Sequence, residues 1–315
     1  MFIEYHRTLL ADRRRNAAWE RALAAVVVPG ESIVIDIGAG TGFLGFLARR
    51  LGAREVFLID DGPVLSLAER LAADNGLDRL VFLNDHSTAV GGLPPADVIV
   101  SETLGNFALE EQIVETLNDA RRLLKPGGVM MPAGLEQYVA PLRAPSFRDE
   151  LCIWDHVGYG LDLAAARRMS LNNLYVRRVD PAQLLPAAAR RWDNIDFRAA
   201  RPPASARHGR VSWAITGQPS PAVVVHGFAA WWRCEIHAGI TLDTAPDAAP
   251  THWEQIYLPL SEPIALEAGE TLELELGVDA SPSAGTKVQW RTRRRTAEGR
   301  VAIELEQDLD AGGRI

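Results

Sequence analysis

Ser32-Ile33-Val34-Ile35-Asp36-Ile37-Gly38-Ala39-Gly40-Thr41-Gly42 decides the fold. Its first part is a short run of apolar, β-branched residues, the pattern of one buried strand. Three glycines follow at alternate positions, and helical spacing resumes over 43–51. Strand, glycine turn and helix in that order open a βαβ unit. Glycines at such a turn let the backbone approach a ligand closely at a helix N-terminus. Val56-Phe57-Leu58-Ile59 reads as the next strand and ends at Asp60-Asp61. Asp60 lies 20 residues after Gly40, where an acid can accept hydrogen bonds from ribose hydroxyls.

The alternation continues outward. Helical spacing covers 64–75, a strand 80–83, another strand 97–100, and a helix 110–124 stopped by Lys125-Pro126-Gly127-Gly128. Val129 and Met130 begin a further strand. Short apolar strands alternating with helices predict an α/β domain with a parallel, doubly wound sheet. Upstream, 7–28 reads as a single helix ended by Pro29-Gly30. After Pro141 the pattern changes. Val211–Ile215, Val223–Phe228 and Thr271–Leu276 read as antiparallel strands between Pro/Ala/Ser-rich turns. The chain therefore divides into an N-terminal helix (1–29), an α/β domain (30–142) and a mostly β domain (143–315). No internal repeat is visible.

Composition sets outer bounds. The 315 residues are 47% hydrophobic and 23% charged, which is ordinary for a globular protein with a sizeable core. A net charge of −8 disfavours nucleic acid and anionic membranes and suits a cationic substrate. Arginine and alanine usage points to a GC-rich bacterial genome. Cys152 and Cys234 show no metal-ligand spacing and read as reduced thiols. Residues 1–16 lack an apolar signal core, and the run 22–28 is too short to span a bilayer, so a cytoplasmic enzyme is expected.

The stretch Ser101-Glu102-Thr103-Leu104-Gly105-Asn106-Phe107-Ala108-Leu109-Glu110-Glu111 follows the fourth strand. Sites in open α/β sheets lie at the carboxyl ends of strands, so Glu102 stands where chemistry is expected. Gly105 permits a turn that folds Glu111 back beside Glu102. Two carboxylates about 4 Å apart repel by about 4 kcal/mol at an effective dielectric near 20. A shared proton, a metal or a bound cation must offset this. A guanidinium is planar, stays charged and presents a fork of donors that two carboxylates can bracket. The bland alternative is that Glu102 caps a helix and Glu111 faces solvent on its first turn.

The glycine spacing separates cofactor classes. Dinucleotide folds read GxGxxG, with a pyrophosphate on the helix N-terminus. Here the third glycine comes one residue early, and Asp36 would be a poor neighbour for pyrophosphate. The pattern Asp36-x-Gly38-x-Gly40-x-Gly42 resembles motif I of class I methyltransferases. That resemblance implies S-adenosylmethionine as cofactor and S-adenosylhomocysteine as product. A cofactor carrying a sulfonium and an ammonium is compatible with the nearby acid. Asn84-Asp85-His86-Ser87, at the end of the third strand, is the expected adenine site, with Asp85, His86 and Ser87 as candidate contacts.

Further motifs make the chain resemble the protein arginine methyltransferase family. Ser101, Glu102, Gly105 and Glu111 match its double-glutamate loop S-E-x-M-G-x-x-L-x-x-E at the same spacing. Thr251-His252-Trp253 matches its THW loop, and His6-x-x-x-x-x-Asp12-x-x-Arg15 its first helix. Trp154-Asp155 and Val179-Asp180-Pro181-x-Gln183-Leu184 are similar to segments leading into its β-barrel domain. The resemblance implies that the β domain is a barrel carrying the substrate site. It implies that the N-terminal helix covers the cofactor and that 160–178 forms a dimerisation arm of a homodimer. It also implies that Arg15 pairs with the cofactor carboxylate, that Asp12 pairs with His252, and that Thr251, Trp253 and His6 line the substrate pocket.

Several positions depart from the family pattern. Only five residues precede His6, where the family has a Y-F-x-x-Y motif. Thr103, Leu104 and Asn106 replace Trp, Met and Tyr, while Leu9 and Ile113 stand where methionines are usual. These changes bear on the pocket wall and hence on substrate identity. The expected reaction is methyl transfer to a guanidino nitrogen of arginine in a protein or peptide. Glu102 and Glu111 would orient the guanidinium, and His252, held by Asp12, would accept the proton. Free arginine or a related metabolite is the competing substrate. A NAD-dependent oxidoreductase is disfavoured by the glycine spacing, and a silent scaffold by the intact acids and His252.

Overall fold

The computed structural model describes residues 3–216, 223–283 and 285–310. Residues 1–2 and 311–315, at the outer ends of the first and third expected segments, lie outside the described residues. The chain begins with α1 (Ile3–Ala11) and α2 (Arg13–Val26). An α/β layer follows: β1 (Ile33–Ile37), α3 (Phe43–Arg50), β2 (Glu55–Ile59), α4 (Leu65–Asp74), β3 (Leu80–Leu83), β4 (Ala96–Ser101), α5 (Ile113–Ala120) and β5 (Leu124–Met131). Its strands are parallel in the order β3-β2-β1-β4-β5. The central strand β1 is buried along its whole length, as its apolar residues require, and it takes Asp36 inside with them.

The expected single helix over 7–28 is two. Asp12 breaks it with an extended backbone and accepts the Arg15 N–H as the N-cap of α2. The amphipathic pattern runs through the break, so periodicity does not register it. The helix expected over 110–124 is confined to α5, with a short 3₁₀ turn over Arg121–Leu123. Glu110 and Glu111 therefore lie on the loop before it, where Ala108 and Gln112 adopt left-handed backbones.

The remaining elements are β6 (Gly134–Leu142), α6 (Pro145–Leu151), α7 (Ala164–Leu171), β7 (Tyr175–Arg177), β8 (Arg190–Asp196), β9 (Ala206–Ala214) and β10 (Val223–His237). β11 (Ile240–Asp243), β12 (Gln255–Leu266), β13 (Thr271–Asp279), β14 (Lys287–Arg295) and β15 (Val301–Asp308) complete them. They form two antiparallel sheets, β7-β12-β10-β6-β8 with β11 on β10, and β15-β14-β13-β9. β6 pairs with β10 and β8, so the parallel sheet already ends at β5. The expected division at 142 therefore falls at the far end of a strand that belongs to the second domain.

The two antiparallel sheets close on each other as a barrel-like sandwich. Leu272, Leu274, Leu276 and Val278 alternate inward along β13, facing the same core as Val288 and Trp290 of β14. Trp290 also donates its indole N–H to Pro259 O on β12, at 3.1 Å. At the other seam, Gly209 of β9 lies directly on the Trp192 carbonyl of β8. A Cβ there would press on backbone that cannot move aside. Gly209→Ala is expected to destabilise the fold by about 1–3 kcal/mol, read as a lower denaturation midpoint in urea.

Candidate active site

Three strands bring the site together. Ile37 at the end of β1 is in register with Ile59 of β2 and with Ser101 of β4. The residues that follow them, Gly38, Asp60 and Glu102, thus emerge side by side at the carboxyl edge, where the strand order reverses. Gly38, Gly40, Asp36, Asp60, Glu102 and Glu111 line one cavity, and Tyr5, His6 and Arg15 cover it from α1 and α2.

The glycine turn is a close-packed cradle. Gly38 and Gly40 have left-handed backbones. A Cβ on Gly38 would lie 2.7 Å from Thr103 Cγ2, and one on Gly40 would lie 2.9 Å from the His6 ring. Asp60 receives the Gly40 N–H and the Gly62 N–H on separate oxygens, each at 2.8 Å. Gly42 does not line the cavity as expected. It starts α3 in a left-handed conformation, and a Cβ on it would strike the Phe46 ring. Asp36 lines the cavity but faces inward, accepting the Gly45 N–H at 2.8 Å and so capping α3. Burial pushes its carboxyl up to about 7, partly offset by that bond. Asp85, His86 and Ser87 line an adjoining cavity on the far side of Asp60. His86 caps the 3₁₀ turn over Ser87–Ala89.

Glu102 is buried, and burial raises its carboxyl above the usual range despite the Arg15 guanidinium beside it. Arg15 donates to Glu102 Oε2 through Nε at 2.7 Å and also through Nη2, and to Asn16 Oδ1 through Nη1. The partner expected for Arg15 was a cofactor carboxylate. In the structure the guanidinium holds the acid, with donors enough for more than one partner. Glu111 is pushed up to about 7, first by burial and then by the charge of Glu102. The Tyr5 hydroxyl donates to its Oε1 at 3.2 Å.

The THW loop acts from behind this cavity. Asp12 Oδ2 accepts both the His252 backbone N–H (2.8 Å) and His252 Nδ1 (2.9 Å). Burial works against the Asp12 charge, but the hydrogen bonds from Arg15 and His252 outweigh it and hold the carboxyl low. An ionised Asp12 makes Nδ1 the protonated nitrogen of His252. Burial also lowers the His252 pKa, so the ring is neutral at pH 7 with its lone pair on Nε2. That buried Nε2 has no hydrogen-bond partner among the described residues.

Two residues expected on the substrate wall, Trp253 and Thr251, sit elsewhere, while His6 does line the cavity. Trp253 is buried and gives its indole N–H to Leu104 O at 2.6 Å. Thr251 bonds Trp253 O instead of the cavity. His6 packs on Gly40 of the glycine turn. Sequence reasoning missed Trp232, whose indole N–H reaches Gly105 O at 3.1 Å, and it expected Asn106 to bear on the pocket wall, where its Oδ1 instead takes the Glu254 N–H at 2.8 Å. The double-glutamate loop is thereby pinned at three successive residues by the second domain. Tyr5 was also missed, although Tyr5, Leu9 and Asp12 follow helical spacing and predict a shared face.

A doubly wound sheet with this glycine turn, its acids and a barrel-like second domain defines a two-domain methyltransferase architecture. Residues 30–146 match the family model for a methyltransferase domain, and 136–291 that of the arginine methyltransferase oligomerization subdomain. An arginine N(omega)-methyltransferase of Streptomyces achromogenes subsp. streptozoticus is 31% identical over 87% of this chain and 75% of its own length. Protein arginine N-methyltransferase 6 of Xenopus laevis is 26% identical over 89% and 84%. In fold, the Trypanosoma brucei PRMT1 enzyme–prozyme complex with AdoHcy aligns with a TM-score of 0.82 at 24% identity, covering 97% of this chain and 98% of that one. Arabidopsis thaliana protein arginine methyltransferase 10 aligns equally well, at 22% identity and 98% of both chains. The chain belongs to the arginine methyltransferase family.

Asp12 joins α2 to the THW loop, and its removal is testable. Asp12→Ala deletes an N-cap and strands two His252 donors. The expected loss is about 2 kcal/mol of stability, measured as a shift in the denaturant midpoint.

Proposed function

We propose that the chain transfers a methyl group from S-adenosylmethionine to a guanidino nitrogen of arginine in a protein or peptide. One observation carries this reading: two carboxylates, the buried one of Glu102 and the half-buried one of Glu111, share a cavity with the glycine turn. The cradle fits the cofactor. Gly38 and Gly40 offer backbone that a Cβ would block, Asp60 offers a carboxylate to a ribose, and Arg15 a cation to a carboxylate. Asp85, His86 and Ser87 would hold the adenine. When bound, S-adenosylmethionine supplies an electrophilic methyl group on a sulfonium.

The chain's own residues do the rest by positioning. Glu102 and Glu111 orient the guanidinium and draw its charge toward the nitrogens they hold, leaving lone-pair density on the nitrogen to be methylated. The proton that this nitrogen sheds passes by way of water to His252 Nε2, which does not line the cavity, and Asp12 stabilises the imidazolium formed. Helix α1 keeps water from the acids. Glu102→Gln is expected to lower kcat/KM by about a hundredfold or more while calorimetric affinity for S-adenosylmethionine is retained. Wild-type turnover in that variant would remove the acid pair from the mechanism.

The arginine side chain is charged at all working pH values, so binding needs Glu111 ionised. With Glu111 raised to about 7, kcat/KM is expected to climb with pH below that value and level above it. Glu111→Gln should abolish that limb along with most activity.

A second reading, free arginine as substrate, is favoured by the Streptomyces relative, whose name specifies arginine without a protein. Mass spectrometry of products from free arginine and from an arginine-rich peptide, offered in parallel, separates the two.

We further propose a cytoplasmic homodimer. Among the described residues, no helix is long and apolar enough to cross a membrane, and Cys152 and Cys234 are free thiols. The expected arm over 160–178 contains α7 and β7, and α7 is tied down by the Trp154 Nε1 bond to Ser170. Exposed apolar residues run from before the arm into its start: Ile153, Val157, Tyr159 (93% exposed) and Leu161. Such a cluster marks an interface. Tyr159→Glu combined with Leu161→Glu is expected to give a monomer in sedimentation velocity, and an unchanged dimer would reject this surface.

A further inference from the structure

Each site carboxylate has one oxygen engaged by the N-terminal helices. Arg15 of α2 takes Glu102 Oε2, and Tyr5 of α1 takes Glu111 Oε1. A carboxylate rotates freely about its last carbon–carbon bond. A planar guanidinium needs both acceptor planes fixed before it can form parallel bonds to them. Arg15 fixes one plane. The other is fixed by the Tyr5 hydroxyl of α1.

We propose that Tyr5 is a positioning residue for the guanidino substrate: it pins Glu111 Oε1 and thereby presents Glu111 Oε2 to the incoming cation. The inference rests on the reading of Glu102 and Glu111 as guanidinium acceptors. It assigns α1 a role in substrate recognition in addition to covering the cavity.

Tyr5 is itself held in place. Its ring meets His6 edge-on, with centroids 6.2 Å apart, and His6 lies on Gly40. Helix α1 therefore spans from the glycine turn to Glu111, so the acid's orientation is tied to the seating of the turn. Burial and the neighbouring acids hold the Tyr5 hydroxyl protonated, as a donor must be.

Groups from every side face Glu111. Glu102 lies at the end of β4, Glu110 on its own loop, and Tyr5 on α1. Arg15 on α2 acts on both Tyr5 and Glu102. Asp60, Asp61, Asp85 and His86 line the adjoining cavity. Among the contributions acting on Glu111, the Tyr5 bond is the one that favours its ionised form. Removing the hydroxyl therefore raises the pH at which Glu111 ionises, a signature that loss of packing alone does not produce.

The test is Tyr5→Phe in the full chain, which keeps the ring. KM for the guanidino substrate is expected to rise about tenfold, and the acidic limb of kcat/KM to move to higher pH. Calorimetric affinity for S-adenosylmethionine should stay unchanged. In a Glu111→Gln background the same substitution should have no further effect on KM. An unmoved limb with unchanged KM overturns the proposal. So does a fall in kcat with an unmoved limb, which would make Tyr5 a packing residue. If Glu111→Gln alone keeps wild-type turnover, the acid-pair reading fails first and takes the role of Tyr5 with it. A Glu111→Gln variant that is inactive beside an unaffected Tyr5→Phe leaves the acid pair standing and rejects Tyr5 alone.

Discussion

Glu102 and Glu111 are like charges in one largely buried cavity, and the surrounding structure restrains their mutual repulsion. Left alone, such a pair would swing apart or protonate. Arg15 supplies a cation to one and Tyr5 a donor to the other. The backbone between them cannot relax, because Leu104 O, Gly105 O and the Asn106 side chain are tied to Trp253, Trp232 and the Glu254 backbone. Gly105 is required for the same reason, since the Glu110 side chain lies where a Cβ would be. Burial first, and the charge of Glu102 after it, raise the Glu111 carboxyl to about 7. A bound cation offsets the repulsion, which is the thermodynamic basis for proposing one.

The second domain contributes none of these carboxylates, yet it fixes the loop that carries them. Trp232 comes from β10, and Trp253 from the loop between β11 and β12; the two rings meet edge-on at 4.9 Å. Buried indoles need partners for their N–H groups, and here the partners are loop carbonyls of the first domain. Asp12 adds a third connection. One carboxylate caps α2 and accepts two donors from His252, joining the N-terminal helices to the THW loop. The two domains and the N-terminal helices are thus coupled at the loop itself, and separating them would dismantle the site.

The parallel sheet was legible because β1 and β2 are short, mostly apolar strands that end in marked residues, the glycine turn and Asp60. The domain boundary was not. β6 follows β5 closely in the chain, and periodicity does not reveal which neighbour a strand will pair with. The break at Asp12 was hidden by an amphipathic pattern that continues across it. Spacing placed Glu102 and Glu111 on one loop, and the structure brings both to one cavity. The family resemblance put Trp253 on the pocket wall, through its match to the THW loop. Its burial follows from the partner its indole finds 149 positions away, which no local pattern encodes.

The acids also bear on which ligands the cavity accepts. Asp36, Asp60, Asp61, Glu102 and Glu111 line it against the single guanidinium of Arg15. A pyrophosphate would meet these carboxylates at the turn where dinucleotide folds offer only helix N–H groups. The proposed reactants carry the opposite sign, a sulfonium and a guanidinium that must come into contact although each repels the other. Two unit charges at 4 Å interact by about 4 kcal/mol at an effective dielectric near 20, whichever their sign. Fixed acids on the guanidinium offset that repulsion at the place where it is largest. The strain between Glu102 and Glu111 in the free protein thus becomes attraction when both cations are present, and this is why the carboxylates must be held together before any substrate arrives.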